Sequence, residues 1–361
     1  MNKNLATVKS DTLILRFGAA QMKRIGVKGR RRIAVRMRVL GRLLDRMRYS
    51  LDLPTKTFSD FLDGTFFDAF IDAVEHMCGM HTDKHGQRKY STPSLALLIG
   101  NVMPKCCQMK KGLAIRRGDE AKMREVDRFM DLFKSEYSDV ASCPALTALK
   151  DRHYNAPEEL PSTKDLLKLK TYIDEKLESL ANQLKCEPKY ETWRRLSEVV
   201  LTRLLVFNKR RASEPAKLEL SQYMNRPNWQ AASNIEVVQN LQPVEQKLMS
   251  RMDMVQVPGK RNRRVPIIIT PEVGEAMELL VSRRDRCGVP SMNRYFFATN
   301  SRDGHLNTWL VLHSNAVAAG VEKPRLVTSS RLRKYIATVA QVYVCNLSPV
   351  NFSNIFCLTL E

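Results

Sequence analysis

The sequence predicts a mainly α-helical protein: a basic helical N-terminal region, then an α+β half with one small antiparallel sheet. Apolar residues recur at helical spacing through most of the chain, as in Ile33, Met37, Leu40, Leu44 and Met47. One pair of segments, 254–257 and 265–270, reads as two strands joined by a turn. The chain has 361 residues, 43% of them apolar and 27% charged. That is enough for two or three domains with a sizeable core, and it excludes a wholly disordered or fibrous protein.

Residues 1–30 read as polar and basic. The apolar stripe from Ile33 to Met47 then sets a helix over 30–48. Between Lys23 and Arg48 there are eleven Lys or Arg and a single acid, Asp45, so the face opposite the stripe is almost purely cationic. Solvated helix faces usually mix signs, and this one-sidedness points to nucleic-acid contact by Arg30, Arg31, Arg32, Arg36 and Arg38. Lys28 with Arg30, Arg31 and Arg32 also suits a nuclear-import signal, which predicts a nuclear protein. Residues 58–76 (FSDFLDGTFFDAFIDAVEH) and 94–102 read as helices. Residues 119–136 continue the pattern through Val126, Phe129, Met130 and Phe133, giving an all-helical region over 1–156.

Asn155-Ala-Pro-Glu-Glu-Leu-Pro161 carries two prolines and is followed by Ser162 or Thr163 as a helix cap, which places a linker at 157–163. The second domain, 164–361, opens with helices over 164–184 and 190–207. Its strand pair is joined by the basic turn Pro258-Gly-Lys-Arg-Asn-Arg263. Thr270-Pro271-Glu272 then supplies a cap, a first-turn proline and an acid for a helix through Val281. Residues 295–298 read as a further short strand and 331–344 as a final core helix.

Lys and Arg number 59 against 38 acids, a net charge of +21. Such a surplus favours a polyanionic partner, nucleic acid before an anionic membrane face; together with the motifs of the second half, the expected partner is double-stranded DNA, with no membrane and no small-molecule substrate. Residues 335–360 carry no charge, but Asn346, Ser348, Pro349, Asn351, Ser353 and Asn354 break the stretch as a membrane span. Eight scattered cysteines with no secretory signal before them predict a reducing compartment. There is no Gly-rich phosphate loop with its Lys, no dinucleotide fingerprint and no metalloprotease His pair, so no cofactor is expected. His76, Cys78, His81 and His85 with Cys106 and Cys107 offer zinc-type ligands, yet their spacing matches no standard finger and Cys78 lies on an apolar face. Buried thiols and surface histidines are the expectation, with no metal.

Three segments of the second half belong together. In the first, an apolar helix ends in Asn-Lys-Arg-Arg-Ala-Ser-Glu-Pro215, with Arg210 and Arg211 before Ser213-Glu214. The others are Gly259-Lys260 on the hairpin and Ser329-Ser-Arg-Leu-Arg-Lys334 opening the last helix. Arg-Ala-Ser-Glu resembles the first arginine box of the tyrosine recombinases of phage-integrase type. Gly-Lys on a hairpin resembles their lysine box, and Leu-Arg-Lys before Ala337-Thr338 their second arginine box. Order and spacing fit, and the surrounding text is similar to the recombinase domains of Crypton-type DNA transposons and their domesticated relatives. By motif the resemblance covers residues 160 to about 344. More loosely, the first half is similar to the core-DNA-binding region of such enzymes.

The resemblance implies an α+β recombinase-like catalytic domain, DNA integration and recombination by strand cleavage and rejoining, and a homo-oligomer on DNA. It makes Arg211 and Arg333 the guanidinium pair that clamps the scissile phosphate, and Lys260 the acid that protonates the leaving 5′ oxygen. Two fixed guanidinium forks are the natural partner for charge developing on non-bridging oxygens. The placement of Arg211 after an apolar helix and before Ser213-Glu214 predicts a buried functional side chain. Lys260 sits among Arg261, Arg263 and Arg264, any of which can simply hold backbone phosphate, as can Arg331 and Lys334.

The pattern also departs from the family. Ser330 stands where a His is usual, no His follows His313, and the only tyrosines after Arg333 are Tyr335 and Tyr343, too early for the nucleophile. Residues 350–361 (VNFSNIFCLTLE) read as a substituted or truncated end. The expectation is a DNA-binding protein of tyrosine-recombinase type that is catalytically incomplete. The alternatives left open are an active recombinase in a longer isoform and a non-catalytic, basic nucleic-acid-binding structural protein.

Overall fold

A computed structural model describes residues 3–84, 86–155, 159–226 and 251–346, and among them the protein is mainly helical. The chain divides into two compact units, Met1–Pro157 and Glu158–Glu361.

The N-terminal unit contains α1 (Lys3–Ser10), α2 (Thr12–Ile25), α3 (Arg30–Leu51), α4 (Phe67–Cys78), α5 (Pro93–Arg117), α6 (Glu120–Tyr137) and α7 (Cys143–Tyr154). Residues 1–30 are therefore more than a polar, basic lead-in. Leu13, Ile14 and Phe17 of α2 are fully buried. The buried carboxylate of Asp11 caps that helix at Ile14 N (2.9 Å) and accepts from Phe58 N (2.8 Å), tying it to a turn 47 residues on. On α3 the expected stripe is buried through Ile33, Leu40, Leu44 and Met47, joined by Val39 and Leu43, while Met37 is half-buried against α2. Residues 58–63 form turns rather than α-helix, with Asp60 accepting from Thr57 N; Asp63 then caps a single 3-10 turn over Gly64–Phe66 by accepting from Thr65 N, and α4 begins only at Phe67. The 94–102 helix runs on to Arg117 through Pro104. The region is also not all-helical: β1 (Met80–Thr82) and β2 (Arg88–Tyr90) make an antiparallel ribbon. Its core holds an aromatic cluster of Phe67, Phe70, Phe129, Phe133 and Tyr137, edge-to-face where Phe129 meets Phe67 and Phe70, and stacked at Phe133 and Tyr137 with ring centroids 4.5 Å apart.

The second unit is built around α9 (Tyr190–Asn208), which is buried on nearly every side along its middle, with α8 (Thr163–Cys186) packed against it. Ser162 caps α8 by accepting from Asp165 N (3.0 Å). After the short helices α10 (Ser213–Ala216) and α11 (Leu220–Met224) comes the hairpin of β3 (Asp253–Pro258) and β4 (Arg264–Ile269), in register Val255↔Ile267 and Val257↔Val265. Val255, Val257, Ile267 and Ile269 face the core. Then follow α12 (Pro271–Arg283), α13 (Thr308–Ala318) and α14 (Ser329–Asn346). Residues 295–298 form only isolated bridges, Glu219↔Tyr295 and Ala298↔His305. Their segment is pinned by side chains instead: buried Arg284 donates to the carbonyls of Asn293 (2.7 Å) and Phe296 (3.2 Å). α14 is not a core helix over its described part, since from Arg331 to Gln341 only Leu332 is buried. No helix among the described residues is long and apolar enough to cross a membrane.

Candidate nucleic-acid interface

The Arg210–Glu214 segment begins where α9 ends. Lys209 closes the helix in the left-handed region (φ 48°) and turns the chain toward the hairpin. Burial, with Arg203 adding to it, holds its ammonium below the ordinary lysine range. Just before it, the Asn208 side chain donates to Ile268 O (2.8 Å) and accepts from Ile268 N (2.8 Å), filling the open edge of β4 as a third strand would.

Beyond the turn, Glu214 accepts from the backbone N of Arg211 (3.0 Å) and from its guanidinium (3.3 Å). The expected burial falls on the wrong partner. Glu214 is 5% exposed and the Arg211 side chain 52% exposed. The reason is that a buried carboxylate here is satisfied by one backbone donor and one guanidinium nitrogen, leaving the rest of the fork to water. Glu214 Oε1 also lies 3.3 Å from where a Cβ on Gly259 would stand. The Glu214 carboxylate thus joins Arg211 to the turn that carries Lys260.

That turn is closed by Gly259 N donating to Arg263 O (2.8 Å) and contains Arg261 at φ 60°. Lys260, Arg261, Arg263 and Arg264 are all exposed, and none is ion-paired among the described residues. Arg333 lies on α14 beside Leu332, which is buried in a cluster with Val199 of α9 and with Leu312 and Ala316 of α13. The Nε of Arg333 is buried without a hydrogen-bond partner. Arg331 is committed to protein carbonyls, donating to Glu159 O (3.0 Å) and Arg325 O (3.4 Å). Lys334 and Ser330 are exposed. The Tyr335 hydroxyl is hydrogen-bonded to Thr163 Oγ1 at 2.8 Å, and the Tyr343 side chain and residues 347–361 lie outside the described residues. The structure therefore brings together Arg211 and the Lys260 turn, and places Arg333 on a helix docked to the same α9.

In the N-terminal unit, Arg30, Arg31, Arg32 and Arg38 of α3 are exposed and Arg36 is half-buried. Asp45, the one acid of that stretch, accepts from Thr7 Oγ1 (2.7 Å) and forms no ion pair with these arginines among the described residues. Cys78, Cys106 and Cys107 are buried, and burial pushes their thiols up, Cys78 to about 11 and Cys107 to about 12. His85 lies outside the described residues.

Sequence reading passed over Asn208 and Lys209 and gave Glu214 no role. Glu214 was within reach, since it stands three residues after Arg211 in the quoted box. A side chain pairing with a strand 60 residues away leaves no local pattern. Compared with known protein families, with characterised proteins and with solved structures, the chain matches none.

Proposed function

We propose that this chain is a double-stranded-DNA-binding protein of tyrosine-recombinase type, acting in the nucleus, whose own residues hold backbone phosphate without cutting it. The observation that supports the reading most is Glu214. It fixes Arg211 by two hydrogen bonds, abuts Gly259, and leaves the guanidinium of Arg211 half exposed beside a turn of four exposed cations. A buried carboxylate fixes the direction of an arginine and leaves it free nitrogens for an anion, which is what a phosphate clamp needs.

Lys260 supplies an ammonium on the same turn, positioned for a phosphate held by Arg211. Arg333 adds a guanidinium whose Nε has no protein partner. Positioning and charge stabilisation bind a phosphodiester but do not open it. Cleavage needs an oxygen nucleophile in line with the leaving oxygen, and Tyr335 is already engaged with Thr163.

The test is a nicked suicide duplex incubated with this chain and with Tyr343→Phe. Duplex binding with no covalent adduct on either is expected, with affinity falling steeply between about 50 and 200 mM salt. An adduct that disappears in Tyr343→Phe overturns the non-cleaving part, and binding indifferent to salt removes the whole reading.

A further inference from the structure

The lysines of α5 receive two different treatments. Lys110 Nζ meets Glu125 at 2.7 Å and Leu62 O at 2.9 Å, and Lys111 Nζ meets Asp127 at 2.7 Å. Both are neutralised by α6. Lys105, on the same helix, finds only the neutral amide of Asn101, Oδ1 at 3.2 Å. Arg24 of α2 is held in the same way by Gln21 Oε1, at 3.3 Å. An amide oxygen orients a cation without offsetting its charge as a carboxylate would.

These two lie within electrostatic reach of Arg32 and Arg36, which stand one helical turn apart on α3. The three helices pack on one another, and α2 and α3 approach so closely at Gly18 that a Cβ there would overlap Met37. Arg36 and Lys105 are half-buried, Arg24 and Arg32 exposed, and Arg36 Nε is buried with no partner. Burial lowers Arg36 below the ordinary arginine range, with Arg32 and Arg24 adding repulsion. Burial likewise lowers Lys105, with repulsion from Arg36, Arg24 and Arg32. Among the described residues no carboxylate pairs with any of the four. Four repelling cations assembled from three helices weaken the free protein, and an anion seated among them reverses that.

We infer that Arg24, Arg32, Arg36 and Lys105 form one seat for a phosphate group, through which the N-terminal unit grips a backbone phosphate of the polyanion proposed above. Its partner rests on that proposed function. The phosphate chemistry is shared with free inorganic phosphate, and the two sources are separable.

The experiment uses the full chain, a 20-base-pair duplex and inorganic phosphate. Lys105→Gln is expected to lower the slope of log affinity against log salt by about 0.9, and to weaken binding about eightfold at 0.1 M salt. Lys111→Gln, whose amine Asp127 already neutralises, leaves both unchanged. The melting temperature of free Lys105→Gln stays level or rises, and added phosphate at constant ionic strength raises that of the parent chain but not of Lys105→Gln or Arg36→Gln. Equal effects of Lys105→Gln and Lys111→Gln, or a lower melting temperature of free Lys105→Gln, overturn the seat. If duplex is not bound but phosphate still stabilises the parent through Lys105, the seat stands as a free-phosphate site and the DNA reading falls. If duplex is bound and the slope ignores Lys105, the DNA reading stands and the seat falls.

Discussion

The Asn208 side-chain amide exchanges two hydrogen bonds with the backbone of Ile268, each 2.8 Å long. It is the last residue of α9, so the helix end and the outer edge of the hairpin are registered by one side chain immediately before Lys209, Arg210 and Arg211. At the far end of the hairpin, Glu214 meets Gly259. The two contacts hold the Lys209–Glu214 segment against β4 and β3 at both ends, and no ligand is needed to bring Arg211 beside the Lys260 turn.

Asn208→Ala removes both hydrogen bonds and leaves the N–H and C=O of Ile268 to find water at a half-buried edge. A loss of about 1–3 kcal/mol is expected, measured by urea unfolding, and a loss at least as large for Asn208→Asp, whose second oxygen faces the Ile268 carbonyl with no proton to donate. An Asn208→Ala chain as stable as its parent contradicts the edge-filling role.

Gly259 has φ −94°, an ordinary value for any residue, so its need for glycine is one of space. A Cβ would overlap Val265 Cγ2 and press on Arg263 O and Glu214 Oε1, both at 3.3 Å. Gly259→Ala is expected to cost about 1–3 kcal/mol by overpacking. It should also weaken duplex binding more than Gly274→Ala, whose Cβ meets only Ile269 at an easy 3.7 Å.

Apolar periodicity, of period 3.6 for α3, α6, α8 and α9 and of period 2 with a turn for the β3–β4 hairpin, made these elements legible, since each buries a regular apolar face in its own unit. The same rule failed where the partner is remote or the pattern is short. α2 hides Leu13, Ile14 and Phe17 among cations, and its fastening, Asp11 to Phe58, has no local signature. The three-residue strands β1 and β2 are too short for alternation to show. At the candidate site, the motif resemblance singled out Arg211 and the Lys260 turn, but which member of the Arg211–Glu214 pair is buried has no local signature, since Glu214 packs beside Gly259, 45 residues further along. Lys105 was invisible for a related reason: only the fold shows that Lys110 and Lys111 have carboxylates to meet and Lys105 has none.

Each unit has its own core, aromatic in Met1–Pro157 and centred on α9 in Glu158–Glu361. Separately expressed 1–157 and 158–361 are each expected to fold and to unfold in one cooperative transition by circular dichroism. A 1–157 fragment lacking such a transition means that the aromatic core cannot stand alone.

The buried thiols give the N-terminal unit an alkaline limit. Burial raises Cys78 to about 11 and Cys107 to about 12, and lifts Cys106 well above its ordinary value. The folded state thus keeps protons that the unfolded chain gives up near pH 9, so it binds more protons than the unfolded state above that point. By linkage, stability is full below about pH 9 and falls as pH climbs through 11 to 12. Lys105 acts in the opposite sense, since its lowered value makes the fold gain stability as pH rises toward 10.5, but Tyr90 and Tyr137, pushed up by burial like the thiols, add to the alkaline decline. Urea unfolding at pH 8, 9.5 and 11 should show this decline, and Cys78→Ala should make it shallower whatever it does to stability at pH 8. Iodoacetamide at pH 8 should label the exposed Cys143 and Cys186 while sparing Cys78, Cys106 and Cys107 until urea is added. Equal labelling of all five in the folded chain, or a stability that rises from pH 9.5 to 11, contradicts the buried-thiol assignment.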